Sequence, residues 1–376
     1  MTEEVQRPTP DVDGNPFDEW LEKYQYNVID FAREVLGFVP DESLDPEESH
    51  GQIDIILAYQ DRIRAIRDAL PIDGTPPAEA VLAELVRQIS AVSGHGVGKT
   101  AGLAICINHH ICVFFPQRVV CTSATEKQLF NALASEVKAW MKKLPPALLE
   151  LFDITAERIV LKAAPEESYV AFQTSSKENT EALAGVHSKH VLLIVDEASG
   201  VADATFEAAS GSMSDYRAVL ILTGNPVRNT GFFADACNKR ELAHRWVRLH
   251  LDCRYSPRVS PTWIREMAEK YGEESNAFRV RVLGLFPLRD DETFMSREVV
   301  QAAVNREVAL VPVASRIWGV DCARFGRDKT AVVMRHGNHI LDDIFVWGGL
   351  DTMQIVGRIK HLYDTTPQNL KPQDIL

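Results

Sequence analysis

Ser93-Gly94-His95-Gly96-Val97-Gly98-Lys99-Thr100 concentrates more possible chemistry than any other stretch of this 376-residue chain. An apolar run with Ile89, Ala91 and Val92 precedes it, and a helix-compatible run from 101 to 107 follows. A glycine-rich turn in that setting lets successive backbone N–H groups face phosphate oxygens at the positive end of the next helix. The spacing predicts that Lys99 reaches the β- and γ-phosphates of a nucleotide and that Thr100 holds Mg²⁺. Ser93 stands where the usual pattern begins with glycine. The plain alternative is a chance glycine-rich turn, and the flanking strand and helix weigh against it.

A second signal lies about a hundred residues on. Val191-Leu192-Leu193-Ile194-Val195-Asp196-Glu197 reads as a buried strand ending in two acids. At the carboxyl edge of a parallel sheet, Asp196 would bind Mg²⁺ and Glu197 would orient the attacking water. Leu222-Thr223-Gly224-Asn225-Pro226 ends the next apolar run, where Asn225 could sense the γ-phosphate; a Gly-Asn-Pro turn is the structural alternative. Val120-Cys121-Thr122-Ser123-Ala124-Thr125, with Gln128, ends another run in small hydroxyl residues suited to a phosphate or nucleic-acid backbone. The same residues also fit a helix start, with Thr125 as N-cap and Gln128 completing a capping box. Trp318-Gly319-Val320-Asp321 places one carboxylate at a strand end, where Asp321 is a candidate metal ligand; a surface hairpin is the alternative. Adjacent rings on a helix face different ways, so His109 and His110 are read as structural.

The elements around these residues alternate. Short β-rich runs at 88–92, 119–122, 191–195 and 219–222 are separated by helical stretches, which predicts an α/β fold with a mostly parallel sheet. Residues 1–15 read as a polar arm, 16–39 as an amphipathic helix, 52–70 as a further helix and 71–77 as a loop. Extra strands fit between 154 and 172. Residues 251–305 read as loop and helix. β-rich runs return at 317–320, 331–335 and 340–346, with a Gly337-Asn338 turn, and a helix from 351 to 363 follows.

Composition bounds the rest. Apolar residues make up 45% and charged residues 25% of the chain, enough for a substantial core. No apolar run approaches the ~20 residues that cross a bilayer, so no membrane role is expected. The six cysteines show no C-x-x-C pair, which suits reduced thiols better than disulfides or zinc. A net charge of −13 speaks at first against nucleic acid. That excess is local: residues 1–50 hold 14 acids against 3 Lys/Arg, whereas 239–289 hold 11 Lys/Arg against 6 acids. The basic segment could track a phosphate backbone or be a solvated face.

Together the motifs resemble the large terminase subunit of tailed bacteriophages, over nearly the full chain. Ser93 to Thr100 resembles that family's phosphate loop, including its Ser start, and Thr122 to Gln128 its next motif. Glu181-Ala182-Leu183-Ala184-Gly185-Val186-His187-Ser188, leading to Asp196-Glu197-Ala198-Ser199-Gly200, is the most distinctive stretch. Thr223-Gly224-Asn225-Pro226 resembles its coupling motif, and Arg281-Val282-Leu283-Gly284-Leu285-Phe286-Pro287 its link between motor and nuclease.

The resemblance implies a P-loop NTPase of the additional-strand ATPase class, followed by a partial RNase H-like domain. The divisions it suggests are an N-terminal arm and helical lid segment (1–60), a motor domain (61–250), a linker or lid (251–310) and a nuclease portion (311–376). It implies ATP with Mg²⁺, with Gln52 at the position of the adenine-reading glutamine and Ser93, Gly94, His95, Gly96, Val97, Gly98, Lys99 and Thr100 around the phosphates. Lys99, Glu197 and Asn225 would carry hydrolysis and its coupling to movement. A neighbour's arginine would complete the site, with Arg228 and Arg158 as candidates. The implied partners are double-stranded DNA, a portal protein, a small terminase subunit and further copies in a pentameric ring, in the bacterial host's cytoplasm. An RNase H-like nuclease using Mg²⁺ or Mn²⁺ needs acids beyond Asp321. Asp328, Asp342 and Asp343 suit hairpin turns better than a metal cluster, and the chain reaches Leu376 where the next acidic strand is expected. An intact motor with an incomplete, inactive nuclease is the expectation. A superfamily-2-like helicase and a non-catalytic ATP-dependent ring-assembly subunit are the alternatives; the former would need a second recombinase-like domain, of which 251 onward shows no sign.

Overall fold

The computed structural model describes residues 16–69, 88–175, 182–288, 302–303, 306, 314–323, 328–341 and 344–376. The expected arm at 1–15, the loop at 71–77, Glu181, Asp342 and Asp343 lie outside the described residues. The chain divides into two compact units, Met1–Phe294 and Met295–Leu376.

The first unit is built on an eight-stranded sheet. Its strands are β1 (Gln88–Ser93), β2 (Gln117–Ser123), β3 (Phe152–Ile154), β4 (Arg158–Leu161), β5 (Ser168–Phe172), β6 (His190–Asp196), β7 (Val219–Gly224) and β8 (Trp246–Leu251). Their order is β3-β4-β5-β2-β6-β7-β1-β8, with only β3 and β4 antiparallel to their neighbours. β7 therefore lies between the phosphate-loop strand and the acidic strand, an added strand at the place the additional-strand class requires. The alternating side chains go to opposite faces, as strand geometry dictates. Leu192 and Ile194 of β6 enter one apolar cluster, with Ile89, Val119 and Ile221. Val191, Leu193 and Val195 enter the other, with Val120, Leu220 and Phe206. Both faces are covered, which is why these runs read as continuously apolar.

Helix α1 (Pro16–Tyr24) and α2 (Gln52–Ala69) precede β1, and α3 (Lys99–Val113) follows the phosphate loop. The helix expected over 16–39 is interrupted after Tyr24, where the Asn27 side chain donates to the Lys23 carbonyl (2.7 Å) and closes the turn. A short helical piece with a wider final turn resumes from Val28 to Val35. Beyond β2, a wide turn at Lys127–Ala134 runs into α4 (Ser135–Met141). α5 (Asp203–Ser212) and α6 (Phe232–Asn238) cover the second face, and α7 (Pro261–Tyr271) and α8 (Asn276–Arg281) follow β8. The boundaries expected near 60 and 250 fall inside this unit: α2 runs unbroken through the first, and β8 spans the second.

The second unit contains β9 (Arg316–Asp321), β10 (Lys329–His336), β11 (His339–Ile340), β12 (Phe345–Gly348), α9 (Thr352–Thr365) and β13 (Asp374–Ile375). β10 pairs antiparallel with β9, β11 and β12, and β13 lies parallel to β9 on its other side. Gly337 sits at φ +60° in the two-residue turn that Gly337-Asn338 predicted. Asp351 caps α9 in a full capping box with Gln354.

Candidate functional site

Parallel pairing brings three strand ends to one edge of the first sheet. β1 pairs with β7, Val92 opposite Gly224, and β7 pairs with β6, Val195 opposite Leu222. The loop after β1, the two acids after β6 and Asn225 after β7 are thus neighbours because the sheet order makes them so.

The side chains there form one connected cluster. Lys99 Nζ lies 3.3 Å from Glu197 Oε1 and 3.5 Å from Asn225 Oδ1, with Lys99 buried. Thr100 Oγ1 donates to Asp196 Oδ2 (3.3 Å), and Thr223 Oγ1 donates to Asp196 Oδ1 (2.8 Å). The Asn225 amide nitrogen of the backbone donates to Glu197 Oε2 (3.4 Å), while its side-chain Nδ2 donates to the Ser93 carbonyl (2.7 Å). Glu197 is the one described non-glycine residue at positive φ (53°), a conformation that costs on the order of 1 kcal/mol and that clusters at functional sites. Burial pushes the Asp196 carboxyl above its ordinary range, against the pull of the Lys99 ammonium and the Thr223 hydroxyl. Burial and the Lys99 charge hold the His95 imidazole below its ordinary value.

The loop itself is divided in use. The Gly94 amide donates to the Leu251 carbonyl (3.0 Å) and the His95 amide to the Arg281 carbonyl (2.8 Å). Ser93 is fully buried and its hydroxyl donates to the Gly94 carbonyl (2.8 Å). These three residues, expected around the phosphates, are occupied by protein contacts. That leaves 96–100, with the unpaired first-turn amides of α3, as the portion able to face phosphate. Gln52, expected to read adenine, is also engaged: Nε2 donates to the Gly98 carbonyl (2.7 Å), Oε1 accepts from the Asp41 amide (3.2 Å), and 1% of the residue is exposed.

The stretch from Arg281 to Pro287, read as a link, is a buttress of the phosphate loop. A Cβ on Gly284 would lie 2.6 Å from the Gly94 nitrogen, and one on Gly94 would lie 2.3 Å from Cys253 Sγ and 2.6 Å from the Val282 carbonyl. The two backbones touch because neither residue has a side chain. Cys253 donates to the His95 carbonyl (3.1 Å), and burial pushes its thiol up to about 12, so it is a packing group and not a nucleophile. The only trace of this in the sequence was a glycine inside an apolar run.

Other expected residues fall elsewhere. Thr122 and Ser123 are fully buried at the end of β2, where Ser123 pairs in register with Asp196 of β6. Thr125 Oγ1 accepts from the Gln128 amide (3.3 Å), the helix-start reading of that motif. Arg228 donates to the Ser199 and Val201 carbonyls of its own chain, and the Arg158 guanidinium lies over the Tyr169 ring at 4.3 Å. His109 and His110 are buried, bonded to the Tyr24 carbonyl (2.9 Å) and the Tyr59 hydroxyl (2.8 Å). Asp321 is exposed at the end of β9. Asp374 on β13 pairs with Ile317, four positions earlier, so the two acids stand about 13 Å apart along the strands. Among the described residues no three His, Cys, Asp or Glu side chains converge as a metal site.

A parallel sheet, a glycine-rich loop opening a helix, and two acids ending the strand beyond an added neighbour define a P-loop NTPase. No family model matches the chain. A curated relative does carry the resemblance drawn from the motifs: "Probable terminase, large subunit" of Enterobacteria phage P7 is 29% identical over 255 residues, 65% of this chain and 51% of the relative. The chain resembles large terminase subunits and spans about half the length of the curated relative it matches. Solved structures with related folds include the HK97 bacteriophage large terminase, at 16% identity, TM-score 0.47, covering 81% of this chain and 70% of that one. A large terminase from a thermophilic bacteriophage, solved in complex with ADP, is 13% identical, TM-score 0.43, covering 84% and 76% respectively. Among the described residues no helix is long and apolar enough to cross a membrane.

Proposed function

We propose that this chain is an ATP-hydrolysing motor of the large-terminase type, moving double-stranded viral DNA into a protein shell. The observation that supports this most is the single cluster joining Lys99, Thr100, Asp196, Glu197 and Asn225 at adjacent strand ends. Thr100 and Asp196 offer hard oxygen donors already hydrogen-bonded together, which fits a Mg²⁺ held by one or two protein groups and completed by phosphates and water. Mg²⁺, when bound, neutralises the phosphate charge. That no three His, Cys, Asp or Glu side chains converge among the described residues is therefore no obstacle to this site.

Lys99 is the pivot. Its ammonium pairs with Glu197 in this structure. A γ-phosphate gives Lys99 a stronger anionic partner, which frees Glu197 to orient water and take its proton. Asn225 is bonded to both Ser93 and Glu197, so a shift of the Glu197 carboxylate reaches β7 and the loop together. That is a route from hydrolysis to movement. The proposed partners are double-stranded DNA, a portal protein, a small terminase subunit and other copies of the chain in a pentameric ring, in the host cytoplasm. The second unit, with antiparallel strands β9 to β12, a helix and a strand parallel to β9, fits the opening of an RNase H-like domain. With Asp321 exposed and distant from Asp374, we assign no cutting activity to this chain.

The test is steady-state ATP hydrolysis by Glu197→Gln. Turnover should fall by about a hundredfold or more while ATP affinity is kept. Turnover equal to that of the parent would remove Glu197 as the water-orienting acid.

A further inference from the structure

A second cation stands on the phosphate loop. Arg258 lies in the turn between β8 and α7. A Cβ built on Gly98 would meet Arg258 Nε at 3.1 Å and Cδ at 3.2 Å, after Gln52 Nε2 at 2.5 Å. The next residue, Val259, is 3.8 Å from the same position on Gly96. This turn therefore covers the part of the loop left to face phosphate. Gly98 is at φ +86°, and a side chain there would displace the arginine as well as strain the backbone.

Arg258 is held by one anion, the Asp41 carboxylate. Asp41 is itself fixed: its amide donates to Gln52 Oε1 (3.2 Å) and its carbonyl accepts from Ile53 (2.9 Å). Leu44 donates to the Tyr255 carbonyl (2.8 Å), tying the acidic loop to the covering turn. The Arg258 and Asp41 side chains are 43% and 28% exposed, and a pair that open adds little stability. A guanidinium kept over a phosphate loop by a weak pair is poised to exchange a carboxylate for a phosphate, which it binds through two parallel N–H groups.

We infer that Arg258 grips the α- and β-phosphates of the bound nucleotide from outside the loop, and that Asp41 is its holding partner when no phosphate is present. The inference rests on the nucleotide reading above. It assigns Arg258 to the α/β end because the atoms nearest Gly98 are those of Gln52 and Arg258, whereas Glu197 and Asn225 gather at Lys99 Nζ.

The experiment is equilibrium binding of a fluorescent ADP analogue to the full chain, with ATP turnover in parallel. For Arg258→Ala the ADP dissociation constant should rise about tenfold or more, with Arg258→Lys in between. For Asp41→Asn it should fall about two- to fivefold, because the competing anion is gone. The opposite signs are the point: a pair that merely steadied the turn would weaken binding in both variants. Unchanged ADP affinity in Arg258→Ala, even with lower turnover, would place the arginine at the γ-phosphate or nowhere and overturn the assignment. Weaker binding by Asp41→Asn would overturn the exchange. A parent chain that binds neither ADP nor ATP, with Lys99→Ala no different, would remove the nucleotide reading and this inference with it.

Discussion

Among the described residues two strands end in an aspartate, and of these β6 alone gives its acid side-chain partners there. β6 is flanked on both sides by parallel strands, and Asp196 receives Thr223 from β7 and Thr100 from the phosphate loop's helix. β9 is also flanked on both sides, yet Asp321 is exposed and Asp374 is four register positions away. Burial differs in the same sense. β6 is buried from Val191 to Asp196, whereas in β9 only Trp318 is buried. An acid at a strand end becomes a site when register delivers partners to it and the sheet's two faces exclude water around it.

The largest test of this contrast sets Glu197→Gln against Asp321→Ala. The first should lower ATP turnover by about a hundredfold or more. The second should leave it within about twofold, since an exposed carboxylate with no side-chain partner among the described residues holds nothing in place. A large loss in Asp321→Ala would mean that the second unit feeds the first unit's chemistry and would end the contrast.

Glycines give the next comparison. Gly284→Val forces a branched side chain into φ +64° and against the Gly94 nitrogen at 2.6 Å and the Ser93 carbon at 2.7 Å. We expect a loss of about 3 kcal/mol or more, seen as a melting temperature roughly 6 °C or more lower. Gly319→Val in β9 meets nothing within 4 Å and should change stability by less than about 0.5 kcal/mol. Similar melting temperatures for the two would show that the buttress behind the phosphate loop yields easily.

The strands that bury both faces were legible from their apolar runs, and the acid pair, Lys99, Thr100 and Asn225 from their place at the ends of those runs. What escaped was of two kinds. β8, Trp246-Val247-Arg248-Leu249-His250-Leu251, interleaves apolar residues with a cation and an imidazole, because it is an edge strand with a half-exposed face. The support of the loop escaped because it depends on tertiary proximity. Gly94, His95 and Gln52 all match a ligand-binding pattern, yet their bonds go to Leu251, Arg281, Gly98 and Asp41, partners that no local spacing announces. Gly284 and Arg258 lie far along the chain from the loop they touch.

Buried histidines add a pH dependence that belongs to the first unit. His109 is fully buried, and burial pushes its imidazole down to about 4. The unfolded chain, titrating near 6.5, therefore takes up this proton first as pH falls. Stability from the neutral ring is complete above about pH 6.5 and is lost progressively toward pH 4. Between pH 7 and 5 the expected loss from His109 alone is about 2 kcal/mol, measurable as a lower urea midpoint. His109→Phe should flatten that part of the profile. An equally steep fall in the variant would assign the acid sensitivity to other groups.

The smallest test compares two buried threonines. Thr223 donates to Asp196 Oδ1 at 2.8 Å in the first unit, and Thr330 bonds the backbone of Ala323 in the second unit, donating to its carbonyl at 3.2 Å and accepting from its amide at 3.0 Å. Valine keeps the shape of each and removes the hydroxyl. Thr330→Val takes a partner from the Ala323 amide and carbonyl, and Thr223→Val removes one of two donors to Asp196 Oδ1, the Glu197 amide (3.0 Å) remaining; each should cost about 1 kcal/mol. Thr330→Val should spend that on stability alone, with ATP turnover unchanged. Thr223→Val should instead lower the catalytic efficiency for ATP by about three- to tenfold and raise the Mg²⁺ concentration needed for half-maximal turnover. The Mg²⁺ shift is the decisive reading, because Asp196 without its Thr223 bond keeps only the Glu197 amide on Oδ1 (3.0 Å) to hold the carboxylate toward Thr100. An unchanged Mg²⁺ requirement would mean that Thr100 and the strand backbone alone aim Asp196, and that the cluster needs less company than its geometry suggests.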